Sequence, residues 1–276
     1  MPSRRSDGAG GPLLHPVLPQ PARRPREQWL LLPGLGQNGA WWIPAARWLA
    51  RPGVGLLTAD PAALARSCTA PRGSYERLDE MAGRLAAALA GHGVSHVVGH
   101  SAGAPAALLT ATSAALAGVV LLEPVPAHFG STRRAPEDGP GRRLVPGGGD
   151  PLAELRRLHP LADAATLRTI TAAAPGWGRP VPVAPADSAG AARAAVRAAT
   201  VRRKLAECRT PLLVLRGALS AMLPEDEARA LAACAPRGGA GAVPRAGHAP
   251  HVDRPRETAE ALAAFLGSVS PGAPTV

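Results

Sequence analysis

A doubly wound, mostly parallel α/β sheet carrying a helical lid insertion is the fold class this sequence predicts, on three observations. Short apolar runs alternate with helix-periodic stretches through the first half of the chain and again through its last quarter. Glycines crowd the corners that follow those runs, as tight strand-to-helix turns require. Between the two alternating stretches, residues 125–208 carry loop chemistry and helical patterns with no strand signal.

In chain order, "QWLLLPGLGQNG" (28–39) reads as a buried strand followed by a Gly-rich loop, and "VGLLTAD" (54–60) as a second strand. Residues 74–93 show helical spacing with a Gly stop. The strand "SHVVG" (95–99), a helix over about 102–115 and the strand "GVVLLEP" (118–124) complete the first half. Residues 125–150 are loop throughout. Asp150-Pro151 then resembles an N-cap with a first-turn Pro, opening a helix with Leu152, Leu155 and Leu158 on one face. Helical stretches follow near 161–174 and 188–207. The strand–helix rhythm resumes with "PLLVLRG" (211–217), a helix from about 224, a short strand near 240–243 and a last helix over about 255–267. The expected division is a disordered basic tail over 1–27, a core made of 28–124 and 209–270, and a helical cap over 125–208.

Composition narrows the function classes. The net charge of +11 suggests nucleic acid, but the 31 basic residues are scattered and aromatics make up 3%, so no stacking platform interleaves with them. Only Lys204 is a lysine. Heavy use of Ala, Gly, Pro and Arg points to a GC-rich genome, so part of the charge is coding bias. The first 27 residues hold five Arg against Asp7 and Glu27, and their apolar pieces are too broken for a secretion signal. No apolar run is long enough to span a membrane. Cys68, Cys208 and Cys234 lack paired spacing, which fits three ordinary thiols in a reducing cytoplasm. Neither metal-ligand spacing nor a phosphate or dinucleotide fingerprint is visible, so no cofactor is expected. The sequence leaves the oligomeric state open.

The chemistry concentrates at one corner. Gly99-His100-Ser101-Ala102-Gly103 fits G-x-S-x-G, set between an apolar strand and an Ala-rich helix. A Ser in so tight a turn projects its oxygen above the sheet's carboxyl edge. The following helix aims N–H groups and a positive dipole end at an anion forming there. The loop "PGLGQNG" would fold beside it, so that the N–H groups of Leu35 and Ala102 form an oxyanion hole. In "VPRAGHAPHVDRP" (243–255), His248 follows the last short strand, where a general base reaching back to Ser101 should sit; His251 reads as surface or lid-facing. Gly34, Trp41, Trp42 and Trp177 are candidates for the substrate pocket, with core packing as the competing reading for the first two indoles. The Arg-rich helix near 193–203 reads as a solvated face or as a contact for an anionic carrier.

"LLLPGLGQNGAWW", "TADP", "VVGHSAGA", "LLEPV", "LLVLRGALSAML" and "AGHAPHVDRP" together resemble an α/β-hydrolase of the lidded, lipase- and esterase-like kind, over about residues 28–267. The resemblance implies Ser101 as nucleophile, His248 as base, Leu35 and Ala102 as oxyanion donors, and a substrate cavity roofed by the helical insertion. It also implies an Asp just after the strand "PLLVLRG", and there the sequence departs: the matching residue is Ala221. Four readings of that gap stay open. Glu123, at the end of "VVLLE", supplies the acid, as in some relatives. Asp226 supplies it, although with Glu225 and Glu227 it looks like a dipole-favoured helix start. The site runs as a Ser–His dyad. Or the Ala was introduced in place of an Asp.

The leading expectation is a serine-nucleophile hydrolase of an ester, thioester or lactone, in specialised (natural-product) metabolism, with a small-molecule acyl substrate, free or carrier-bound. A lyase, cyclase or epimerase on the same fold is the alternative, motivated by Ala221. A non-catalytic ligand-binding protein on a decayed hydrolase fold is the third.

Overall fold

The computed structural model describes residues 14–19, 25–59, 78–131, 150–174 and 188–270. Seven strands form one sheet: β1 (Leu14–Pro16), β2 (Glu27–Leu32), β3 (Val54–Ala59), β4 (Val94–His100), β5 (Gly118–Leu122), β6 (Leu212–Gly217) and β7 (Gly238–Val243). Their order is β1-β3-β2-β4-β5-β6-β7, parallel except for β1 against β3. The doubly wound α/β class is therefore as the sequence predicts. Residues 14–16 correct the tail expectation: they pair with β3, Leu14 opposite Ala59, and Leu14 is buried. Three residues are too few to display a period, which is why the sequence hid them.

Helices cover both faces, as parallel sheets demand. On one lie α1 (Ile43–Leu49) and the last helix; on the other lie α2 (Leu78–His92) and α3 (Ala104–Ser113). Strand side chains alternate accordingly. Leu30, Leu32, Val97, Val119 and Leu121 face the α2–α3 layer, while Trp29, Leu31, Val98, Val120 and Leu122 face α1. From Ala104 to Ala111 every residue of α3 is buried, and the one polar side chain among them, Thr110, donates its hydroxyl to the Ala106 carbonyl, as befits a helix enclosed by neighbours.

The region between β5 and β6 holds α4 (Pro151–Leu158), α5 (Ala164–Ala173) and α6 (Ser188–Glu207). The Asp150 side chain accepts the N–H of Leu152 at 3.1 Å, and Pro151 opens α4. Leu155, Leu167 and Ile170 of α4 and α5 close a separate apolar cluster with Trp41, Ala249 and Val252. The second half of α6 does not belong to a cap: Val201 and Leu205 pack into the α2–α3 layer. The boundary expected at 208 is corrected to that extent, because an amphipathic helix gives no sign of which surface its apolar stripe meets. The chain closes with α7 (Glu225–Ala233), the single turn α8 (Pro250–Asp253) and α9 (Pro255–Val269), which lies beside α1. No helix among the described residues is long and apolar enough to cross a membrane.

Candidate active site

Ser101 follows β4 directly and takes φ +50°, a left-handed conformation that costs a residue with a Cβ about 1–2 kcal/mol. The 3-10 turn Ser101–Gly103 leads into α3. A Cβ on Gly103 would come within 2.7 Å of the Pro33 carbonyl oxygen, so glycine there lets the turn lie directly on the backbone that precedes the Leu35 loop. That loop is shaped by Gly34 N–H donating to Gln37 Oε1 at 3.0 Å and Gln37 N–H donating to the Gly34 carbonyl at 3.2 Å. Leu35 and Ala102 thus ride on two touching backbone segments.

Glu123 repeats the device one strand over. It follows β5 directly, with φ +49°. Its side chain is fully buried and both oxygens are hydrogen-bonded: Gly217 N–H donates to Oε1 at 2.7 Å, Ser220 Oγ–H donates to Oε2 at 2.7 Å, and the His248 imidazole meets Oε2 at 2.9 Å through Nδ1. Ser220 Oγ in turn accepts the N–H groups of Met222 and Leu223, at 3.2 and 3.4 Å. The loop through Ala221 serves to hold Glu123. Its turn is clamped by Arg216, whose guanidinium donates to the carbonyls of Leu223, Ala218 and Ser220.

His248 is delivered by the loop after β7. Ala218 and Leu219 donate to the carbonyls of Val243 and Ala246, and Gly247 N–H donates to Asp253 Oδ2 at 2.8 Å. A Cβ on Gly217 would stand 2.1 Å from the Gly247 carbonyl oxygen, so only glycine lets the end of β6 pass this loop. Held so, His248 Nε2 lies 2.9 Å from Ser101 Oγ. One line of hydrogen bonds now joins Ser101, His248 and Glu123 across three strand ends. Because the carboxylate only accepts, Nδ1 carries the proton and Nε2 presents a lone pair to the hydroxyl.

A family model matches residues 29–261, most of the chain. The chain belongs to the alpha/beta hydrolase family. No curated protein matches the sequence. Among solved structures, the peroxisomal alpha-beta-hydrolase Lpx1 of Saccharomyces cerevisiae superposes with TM-score 0.68 at 16% identity, over 95% of this chain and 84% of that one. An esterase of M. tuberculosis superposes with TM-score 0.62 at 21% identity, over 94% of each chain. A thioesterase domain from the curacin biosynthetic pathway gives 0.61 at 16%, over 87% of this chain and 91% of that one. At such identities these likenesses speak for the hydrolase fold alone.

Other expected residues fall differently. Asp226 stands in the first turn of α7, whereas His248 Nδ1 is occupied by Glu123. His251, expected at the surface or facing a lid, is fully buried: it stacks on Trp42 with ring centres 4.4 Å apart and meets the edge of His100 at the same separation. Burial, with His159 and His248 nearby, holds its pKa well below the ordinary imidazole value. Trp42 belongs to the core beneath α1, and Trp41 joins the α4–α5 cluster, so both expected pocket walls are packed inside. Gly34 lies against the His100 ring. Trp177 and Cys68 lie outside the described residues. A cavity of about 500 Å³ beside Asp253 is lined instead by residues such as Arg47, Trp48, Asp163, Arg245 and Arg254. Ser220, Gln37 and His100 were not foreseen. Each lies inside a stretch that carries the resemblance, which is the one signal the sequence offers for them.

Proposed function

We propose that this chain is a cytoplasmic serine hydrolase that cleaves an ester, thioester or lactone of a medium-sized apolar acyl substrate, free or carrier-bound, in specialised metabolism. The observation that carries this is the contact of Ser101 Oγ with His248 Nε2, 2.9 Å long, backed by Glu123 on Nδ1. Ser101 Oγ attacks the carbonyl carbon as His248 takes its proton. The tetrahedral oxyanion is held by the N–H groups of Leu35 and Ala102, each donor typically contributing a few kcal/mol. Collapse expels an alkoxide or thiolate that takes the proton from His248. Water, deprotonated by the same imidazole, then attacks the acyl-enzyme and releases the acid. Glu123 keeps the imidazole in the productive tautomer and stabilises the imidazolium. Helices α4 and α5, packed against Trp41 beside the base loop, serve as the lid.

The non-hydrolytic alternatives drew their motive from a missing acid, and a carboxylate on His248 Nδ1 removes it. Membership of the alpha/beta hydrolase family supports the reaction class. The test is intact-mass analysis after treatment with a fluorophosphonate, alongside turnover of chromogenic esters and acyl thioesters. The expected result is one adduct on Ser101, absent in Ser101→Ala, with turnover lost in the same variant. An unmodified native mass would overturn the proposal.

A further inference from the structure

The residue before the nucleophile touches more of the site than any role so far assigned to it requires. His100 is only 2% exposed. Its Nε2 lies 2.9 Å from the backbone carbonyl oxygen of His248, 148 residues away in sequence. Its Nδ1 lies 2.9 Å from Gln37 Oε1, the same oxygen that receives Gly34 N–H. The Leu35 loop bears directly on the ring: a Cβ at Gly34 would come within 2.8 Å of Nδ1. The ring of His248 stands 5.3 Å away, and His251, itself stacked on Trp42, presses on another side at 4.4 Å.

Counting protons separates the two polar contacts. Burial and the neighbouring His251 and His248 hold the His100 pKa well below the ordinary imidazole value, so the ring is neutral and has a single N–H. The His248 carbonyl can only accept, which puts that proton on Nε2. Nδ1 then offers a lone pair, which pairs with Gln37 only when the amide turns its NH₂ inward and gives up Gly34. The tie to His248 holds in either amide orientation; the tie to Gln37 depends on it.

We propose that His100 is a positioning residue: its Nε2–H anchors the backbone of His248, so that the base loop is set against the nucleophile corner by the side chain next to Ser101, while the same ring buttresses the Gly34–Leu35 turn. This deepens the Ser101 reading and rests on it. It gives the site a support independent of Glu123. The carboxylate fixes the imidazole's tautomer and tilt, and His100 fixes where the loop that carries the imidazole stops. A shift of about 1 Å in such a group can cost on the order of a hundredfold in rate, mainly in the chemical step.

The test measures fluorophosphonate inactivation, separating the maximal rate from the half-saturating concentration, for the full chain and for His100→Gln, His100→Asn and His100→Leu. A Gln amide nitrogen reaches about as far as Nε2 and keeps the donor to His248. Asn reaches only to the Nδ1 position and loses it. The expected maximal rate falls about ten- to a hundredfold in Asn and Leu, with the half-saturating concentration unchanged, and recovers in Gln to within a fewfold of the native value. Thermal unfolding identifies variants that are simply misfolded, and the Gln–Asn pair decides the matter even if Leu does not fold. Equal rates in Gln and Asn, or a native rate in folded Leu, would overturn the anchor while leaving Ser101 labelling intact. A native protein that is not labelled at Ser101 at all would remove the underlying reading, and the anchor with it.

Discussion

The corners after β4 and β5 solve one backbone problem in two ways. Each places a polar residue immediately beyond its strand in left-handed conformation, Ser101 at φ +50° and Glu123 at φ +49°. The first corner runs into a helix packed tightly against the neighbouring strand end, and its spacing demands Gly103 beside the Pro33 carbonyl. The second runs into Pro124 and a 3-10 turn over Pro126–Phe129, and the residue at the offset of Gly103 is Val125, which carries a Cβ. A spaced glycine pattern therefore marks Ser101, whereas Glu123 is marked only by its place at the end of an apolar strand. The pattern reports the crowding of the following helix, not the chemistry of the residue at the corner.

Substitutions at and around these corners break or sharpen that comparison. Glu123→Ala is expected to have the largest effect, a loss of order 10³–10⁴ in kcat for ester turnover with the half-saturating concentration little changed, because the imidazole loses its tautomer and its counter-charge. Adding Ala221→Asp to that variant should recover less than about a tenth of the native rate, since residue 221 is exposed while Ser220 turns inward to the carboxylate. Full recovery would mean that the end of β6 supplies the acid equally well.

Gly103→Ala should destabilise the fold by about 1–3 kcal/mol or more through the clash with Pro33, read as a fall in the unfolding midpoint. Val125→Ala, at the same offset from Glu123, should cost about 1 kcal/mol or less. Equal costs would show that the two corners are crowded alike. Ser220→Ala should slow turnover roughly tenfold or less, the loss of one hydrogen bond to a charged group, with the pH profile shape retained.

The smallest effect lies at the far end of β4. His96 is fully buried against Trp29 and Ser95, and its pKa is pushed down from 6.5 to about 4, chiefly by burial. The unfolded chain binds that proton below about pH 6.5 while the folded one refuses it until about 4. Stability should therefore decline as pH falls through this window. His96→Gln should reduce proton uptake on unfolding by about one between those pH values, measured by denaturant titration, with turnover at neutral pH unchanged.

The alternating apolar runs, the G-x-S-x-G corner and the Gly-rich loop were legible because each is a local demand: a strand buried on both faces, a helix packed close, a turn in tight contact. His248 was legible because it stands in a loop between a short strand and the last helix. What the chain could not announce is which groups become neighbours. Whether Glu123 or Asp226 reached the base, whether His251 lay outside or inside, and whether the second half of α6 capped the site or joined the core all depended on how separate strand ends register across the sheet. Local sequence sets each residue's backbone and polarity. The pairing of Glu123 with His248, 125 positions apart, was decided only when β5, β6 and β7 came together side by side.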